Sequence, residues 1–316
     1  MGQANKRRKN PREKYQVTNW SEYNNALIKR GSISIWLDAG VKDSWLYVGD
    51  RKPGGKIEYS DVAIEFLMTI KQVYKLTYRS LQGFCQSIFQ LSGMGELKVP
   101  SYSQIQRRGK ELKVNIQVRK GSKEALHIVI DSTGLKVFGE GEWKVRKHGW
   151  TKRRTWRKIH MVSDGNDLEI LSVILTGNDI DDSTAGVEAI NSIEEDIKEV
   201  AADGAYDKKQ FRNNLPPEVV QKIPPQRNAV VSDAPGMEQR NSAIQSIEKI
   251  GREEWKKLAG YHIRSKSEVN MYRFKVEFSE KLSSRKPETE KIEVKLKSKI
   301  LNKFVTLGMP KSRKIA

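Results

Sequence analysis

Two apolar runs, each leading into an aspartate, set the strongest limit on how this chain can fold. Leu126-His127-Ile128-Val129-Ile130 leads into Asp131, and Val200-Ala201-Ala202 leads into Asp203. Such runs read as buried strands. A carboxylate beside one costs free energy unless a cation or a basic partner offsets its desolvation. A third acid, Glu268, lies in a stretch from Tyr261 to Lys275 that reads as a helix. Acids so far apart in sequence can share a site only if the fold assembles it.

The helical spacing sharpens this expectation. At about 100° per residue, Tyr261, Arg264, Glu268 and Lys275 fall within one arc of about 60°. Beside that arc run Val269, Tyr272 and Val276, an apolar stripe expected to seat the helix on a sheet. One face thus carries an aromatic ring, two cations and a carboxylate. A metal ligand flanked by phosphate-binding groups has this composition.

The same four residues, separated by two, three and six intervening positions, resemble the signature of bacterial insertion-sequence transposases of the DDE class. Asp131-Ser132-Thr133-Gly134-Leu135-Lys136, Ala202-Asp203-Gly204-Ala205-Tyr206-Asp207 and the opening Asn19-Trp20-Ser21-Glu22-Tyr23 are similar to the IS-five group within that class. The resemblance spans residues 19 to 285. The acids are spaced by 203 − 131 = 72 and 268 − 203 = 65 residues, which leaves no room for a large extra domain between the second and third.

The resemblance implies a ribonuclease H-like α/β catalytic domain in which Asp131, Asp203 and Glu268 are the catalytic, metal-holding residues. Hard oxygen ligands select Mg²⁺ or Mn²⁺, and two such ions can activate a nucleophile and neutralise the leaving oxygen together. Asp131 is expected to bridge both ions, Asp203 to hold one and Glu268 the other. The implied substrate is double-stranded DNA: the terminal inverted repeats of an element are bound, cut, and joined through their 3′-hydroxyls to target DNA. Two ends must meet, so a homo-oligomer is expected. The rival readings are a ribonuclease H-like nuclease without strand transfer and a non-catalytic DNA-binding regulator derived from a transposase. All three acids standing in their motifs weighs against the latter.

Composition agrees with a polyanionic partner. The chain of 316 residues carries a formal net charge of +19 and a pI near 9.8. That favours nucleic acid over membrane, because no long apolar run is present to enter a bilayer. A generically basic protein is the plainer alternative. The single cysteine, Cys85, excludes an internal disulfide framework, fits a reducing bacterial cytoplasm, and reads as a small buried hydrophobe. Lys6-Arg7-Arg8-Lys9 is followed by polar residues, not by the apolar core of a signal peptide. The four histidines lack zinc-ligand spacing.

Along the chain, residues 1–18 read as a basic arm and residues 19–120 as a mainly helical DNA-binding domain. Ser60 is placed to cap one helix, and a second is expected from Tyr78 to Leu91. Ser101 and Gln104 form a capping-box pattern opening a short helix that carries Gln104, Gln106, Arg107, Arg108 and Lys110, residue types suited to base edges and phosphates. The order suggests a helix-turn-helix-like reader. The catalytic domain is expected over 121–285, with strands near 157–163 and 168–175 joined by a turn at 163–167. Between its first strands, Trp143 to Lys158 alternates cations with tryptophans, including Arg153 and Arg154, and suits a DNA backbone. Asp179, Asp181 and Asp182 read as capping and turn residues. Asp207 is expected either to cap a helix or to support the site from behind. Residues 286–316 are expected as a basic C-terminal tail, either a helix or loose.

Overall fold

Alternation along β2 (Leu126–Lys136) decides what each face of the central sheet carries. Ile128 and Ile130 enter one apolar layer, while Leu135 enters the other. By that parity Asp131 shares the face of Leu135 and Ser132 the face of Ile130. The structure is a computed structural model that describes residues 14–37, 39–50, 57–116, 125–137 and 156–315. The sheet runs β4 (Ile170–Gly177), β3 (Trp156–Asp164), β2, β5 (Ile197–Ala201), β6 (Val220–Lys222). The β4–β3–β2 part is antiparallel; β5 and β6 join in parallel. The protein is therefore mixed α/β around a mixed sheet.

One face is covered by α6 (Asp182–Asn191) and α7 (Lys209–Asn214). Ala189, Ile190, Phe211 and Leu215 meet the strands there. Tyr206 lies edge-on to Phe211 at 5.2 Å, in space that Gly186 leaves open. A Cβ on Gly186 would come within 2.8 Å of both rings.

The other face is covered by α10 (Ser265–Phe278) and α11 (Pro287–Leu307). Beyond them lie α3 (Asp61–Val73), α4 (Tyr78–Leu91) and α5 (Tyr102–Arg108). Ser60, Thr77 and Ser101 cap these three helices through their hydroxyls. Trp45, Phe66 and Phe89 interlock beneath them, and Cys85 is buried among their neighbours. A single apolar cluster continues from Trp45 and α3 through α11 to Ile159 and Val173 of the sheet. The helices α1 (Trp20–Arg30), α2 (Ala39–Asp43), α8 (Glu238–Ile250) and α9 (Arg252–Leu258) complete the fold. The short strands β1 (Lys14–Val17) and β7 (Ser312–Ile315) pair antiparallel.

Two expectations are corrected here. Residues 287–307 take the helical of the two forms expected, but helix α11 is no peripheral tail: its Val294, Leu296, Ile300, Leu301 and Phe304 belong to the core. Its charges enter the interior as pairs: Arg157 Nε donates to Glu290 at 2.8 Å and Lys297 Nζ to Glu293 at 2.6 Å. Helix α10 does not rest on Val269, Tyr272 and Val276, which are 41%, 69% and 63% exposed. It rests on Ser267, Asn270, Met271, Phe274 and Phe278. The buried Asn270 is satisfied by donating to Ser163 Oγ and the Leu168 carbonyl.

Candidate active site

The parallel register of β2 and β5 sets Val129 beside Ala201. Asp131 and Asp203, each two residues further on, therefore lie level with each other on the face that α10 covers. Asp203 ends its strand by capping the 3-10 turn Gly204–Tyr206, accepting the Ala205 N–H at 2.9 Å. Glu268 comes from the first turn of α10.

Arg264 joins all three. Its Nη2 lies 3.1 Å from Asp131 Oδ2 and 3.7 Å from Asp203 Oδ2, and its Nη1 is 2.5 Å from Glu268 Oε1. The acids differ in depth: their side chains are 14%, 39% and 63% exposed in the order Asp131, Asp203, Glu268. Burial pushes the Asp131 carboxyl above its ordinary pKa. Arg264, the Ser132 N–H and Ser267 counter only part of that, and the nearby Asp203 charge adds to the rise. Burial alone would lower the Arg264 pKa, but Asp131, Tyr261, Asp203 and Glu268 outweigh it and hold the guanidinium above its usual value.

The approach to Glu268 is not one continuous α-helix. Gly260 takes the left-handed conformation at φ 62°, and Tyr261–Arg264 form a 3-10 turn before α10 begins. Arg264 is thereby swung toward the sheet, whereas Lys275, two α-turns beyond Glu268, is not among its contacts. Tyr261 sits by the acids beside Trp255, and burial pushes its phenol up to about 12.

Of the other candidates, Arg108 is engaged within the fold, donating to Asp61 at 2.6 Å and to the Tyr59 carbonyl at 3.0 Å. Gln104 follows the Ser101 cap, and Arg107 is exposed. Arg153 and Arg154 lie outside the described residues.

Ser267, which sequence reasoning passed over, and three aspartates that it named complete the surroundings. Ser267 Oγ is 3.3 Å from Asp131 Oδ2. Asp181 caps α6 as expected, but Asp182 reaches back to the sheet, accepting Ser132 Oγ at 3.0 Å and Lys158 Nζ at 2.8 Å. The signal was the alternation of β2, which turns Ser132 away from Asp131 toward α6. Asp207, four residues after Asp203, accepts Arg212 Nε, Arg240 Nε and the Gln226 N–H at 2.9, 3.0 and 3.0 Å.

His160, opposite Ser132 on β3, is fully buried with Nε2 2.9 Å from Thr176 Oγ1; its Nδ1 makes no hydrogen bond and lies 4.0 Å from Asp182 Oδ1. Burial pulls its pKa down to about 4. The fold thus favours the neutral ring, and the unfolded chain takes up the proton first. Stability is expected to fall as pH drops from 6.5 toward 4, by about 1.4 kcal/mol per unit and about 3 kcal/mol in all. Urea midpoints across that range test it: His160→Gln should flatten the decline, and an unchanged slope would assign it to other groups.

Among the described residues no three metal-ligating side chains stand together as a ready cradle, because the guanidinium lies between the acids. Their donor chemistry still suits a hard divalent ion: all are carboxylate oxygens converging on one positive charge. No described helix is long and apolar enough to cross a membrane.

Comparison with known proteins bears on this arrangement. The family described as the transposase DDE domain matches residues 122–303, more than half of the chain, and a second family of the same description matches residues 28–140. A pre-cleavage Mos1 transpososome is among the similar solved structures, at 9% identity over 83% of each chain and a TM-score of 0.16, too slight a likeness to carry an argument. With three carboxylates gathered on one face of a mixed sheet and the family match running through all of them, this chain belongs to the DDE transposases, metal-dependent enzymes that cleave and transfer DNA phosphodiesters.

Proposed function

We propose that the chain binds the terminal inverted repeats of an insertion sequence, cleaves at their ends and joins the freed 3′-hydroxyls to target DNA. Asp131, Asp203 and Glu268 are its catalytic residues, brought together by a ribonuclease H-like sheet and the helix α10 that covers it. The observation that carries this reading is the convergence of the three carboxylates on the Arg264 guanidinium. A cluster so charged holds together only around positive charge. In catalysis Mg²⁺ or Mn²⁺, two ions in this reading, supplies that charge, lowering the pKa of the attacking hydroxyl and stabilising the leaving oxygen.

Asp131, deepest of the three and fixed by the Ser132 N–H at 2.9 Å, is the best-held ligand and suits the bridging role. Asp203 and Glu268, nearer the rim, suit one ion each. Arg264 gives up its place between them and turns to the phosphate beside the reacting bond, with Tyr261 bracing the strand. Lys275 lies further along the same helix for a neighbouring phosphate. Residues 19–120 supply end recognition, with the exposed Arg107 and the half-buried Gln104 of α5 as its contacts, and two copies bring two ends together. The quoted motifs support the IS-five group within the family.

The test is a purified full chain with a duplex carrying its element's end, a supercoiled target, and Mg²⁺ or Mn²⁺. Cleaved ends covalently joined to the target are expected. Cleavage without joining would favour the nuclease, and binding without cleavage the regulator.

A further inference from the structure

A second polar site lies away from the carboxylates. Where α3 turns into α4, the chain faces the segment leading into α11, and a cleft of about 620 Å³ opens between them. Lys71, Lys75, Lys110, Arg285 and Lys286 line it, with hydroxyls such as Thr77 and Ser284, and no carboxylate is among the lining residues. An adjoining hollow of about 220 Å³ shares Lys71 and Lys75 and adds Lys281 and Lys297. The acid acting on Lys71 is Glu293, which is buried and already accepts Lys297 Nζ and the Ser283 and Ser284 N–H groups.

The cleft is built against local preference. Lys75 follows the end of α3 at φ 54°, and the next N–H, of Leu76, returns to the Lys71 carbonyl at 3.0 Å. Glycine is the usual residue at such a left-handed helix stop. Arg285 and Lys286 stand directly before α11, where the positive end of a 21-residue helix disfavours cations. Burial lowers the Lys71 pKa more than Glu293 restores it. A run of negative charge in the cleft would relieve the last two of these costs and would use the cation that the first places there.

We infer that this cleft binds consecutive phosphates of duplex DNA. One free phosphate cannot balance Lys71, Lys75, Lys110 and Lys286 together, whereas a strand offers one charge per nucleotide. Gln106 and Lys110, at the end of α5, share the wall, so the same backbone runs past that helix. The adjoining hollow is bounded by Phe278 and Ser279, at the far end of the helix that carries Glu268. Ten residues of helix separate Glu268 from Phe278, about 15 Å, a span of a few phosphates along one strand. The cleft therefore grips the end DNA a few phosphates from the bond being cut. This spacing, though not the cleft itself, rests on the three acids being the cutting site.

The experiment measures affinity of the full chain for a labelled end duplex against salt. Lys75→Gln, Lys110→Gln and Lys286→Gln together should lower the slope of log K on log salt by about 2–3, at about 0.9 per lost contact. Lys198→Gln, Lys249→Gln and Lys295→Gln together remove the same charge from exposed positions elsewhere; an equal loss there would overturn the site in favour of diffuse attraction. Lys75→Gly adds a readout that a structural lysine would not give: a melting temperature unchanged or about 1–2 °C higher, with weaker DNA binding. Inorganic phosphate and pyrophosphate are titrated in parallel. If they stabilise the wild type but not the cleft triple, while both bind DNA alike, the site takes small phosphates and the DNA assignment fails. Methylphosphonates placed one at a time over the first few positions from the cut should include one that weakens the wild type and not the cleft triple; equal weakening in both at every position would remove the spacing.

Discussion

Asp131→Asn is expected to reduce Mg²⁺-dependent end cleavage by a hundredfold or more, about 2.7 kcal/mol of transition-state stabilisation, while duplex binding persists. An amide keeps the shape of the carboxylate but is a poor ligand for a hard cation. Asp203→Asn and Glu268→Gln should do the same, less steeply as exposure rises toward the rim. Folding separates lost chemistry from lost structure. Burial outweighs Arg264 in setting the Asp131 pKa, so the ionised carboxylate is a burden to the fold at neutral pH. The asparagine variant should melt at the wild-type temperature or slightly above it. Near-normal cleavage by Asp131→Asn would mean that the reacting phosphate lies elsewhere.

Asp207→Ala should act in the opposite sense, on the fold before the chemistry. The Arg212 side chain is 1% exposed and that of Asp207 0% exposed, and Arg212 also donates to Gln221 Oε1 and the Ile223 carbonyl. Removing the carboxylate leaves a buried guanidinium without its counter-charge, a change that costs about 3–5 kcal/mol. Against a typical total of about 5–15 kcal/mol, that lowers the urea midpoint severely. Arg240 and the Gln226 N–H lose their acceptor as well, loosening the turn that follows Asp203. Asp207→Asn, which keeps an acceptor, should lose less. A wild-type midpoint in Asp207→Ala would show that water replaces the carboxylate at no cost.

What the sequence showed of this molecule depended on whether a residue's partner was near in the chain or far from it. Asp131 and Asp203 stood out because apolar runs lead into them, and strand alternation is a local property. The helix from Tyr78 to Leu91 and the caps Ser60 and Ser101 were legible for the same reason. Helix α10 was misjudged at its buried face. Val269, Tyr272 and Val276 outscore Asn270 and Ser267 in hydrophobicity, yet Asn270 is satisfied by Ser163 and Leu168, about a hundred residues earlier. Helix α11 misled in a similar way. Its lysines and glutamates suggest a solvated segment, but Glu290 meets Arg157 across 133 residues, and a paired charge can be buried where a lone one cannot. The convergence on Arg264 was hidden by the 3-10 turn, which uniform helical spacing cannot anticipate.

The apolar cluster that runs unbroken from α3 through α11 into the sheet has a mechanical corollary. Close-packed interiors transmit displacement instead of absorbing it, and Ile105 of α5 belongs to the same cluster as Leu135 of the strand that bears Asp131. Whatever DNA is gripped at α5 is held like work between the jaws of a caliper, at a distance set by side-chain volume in the core. Trimming that volume, for instance at Ile300 or Phe304, should blur where the cut falls before it slows the cutting.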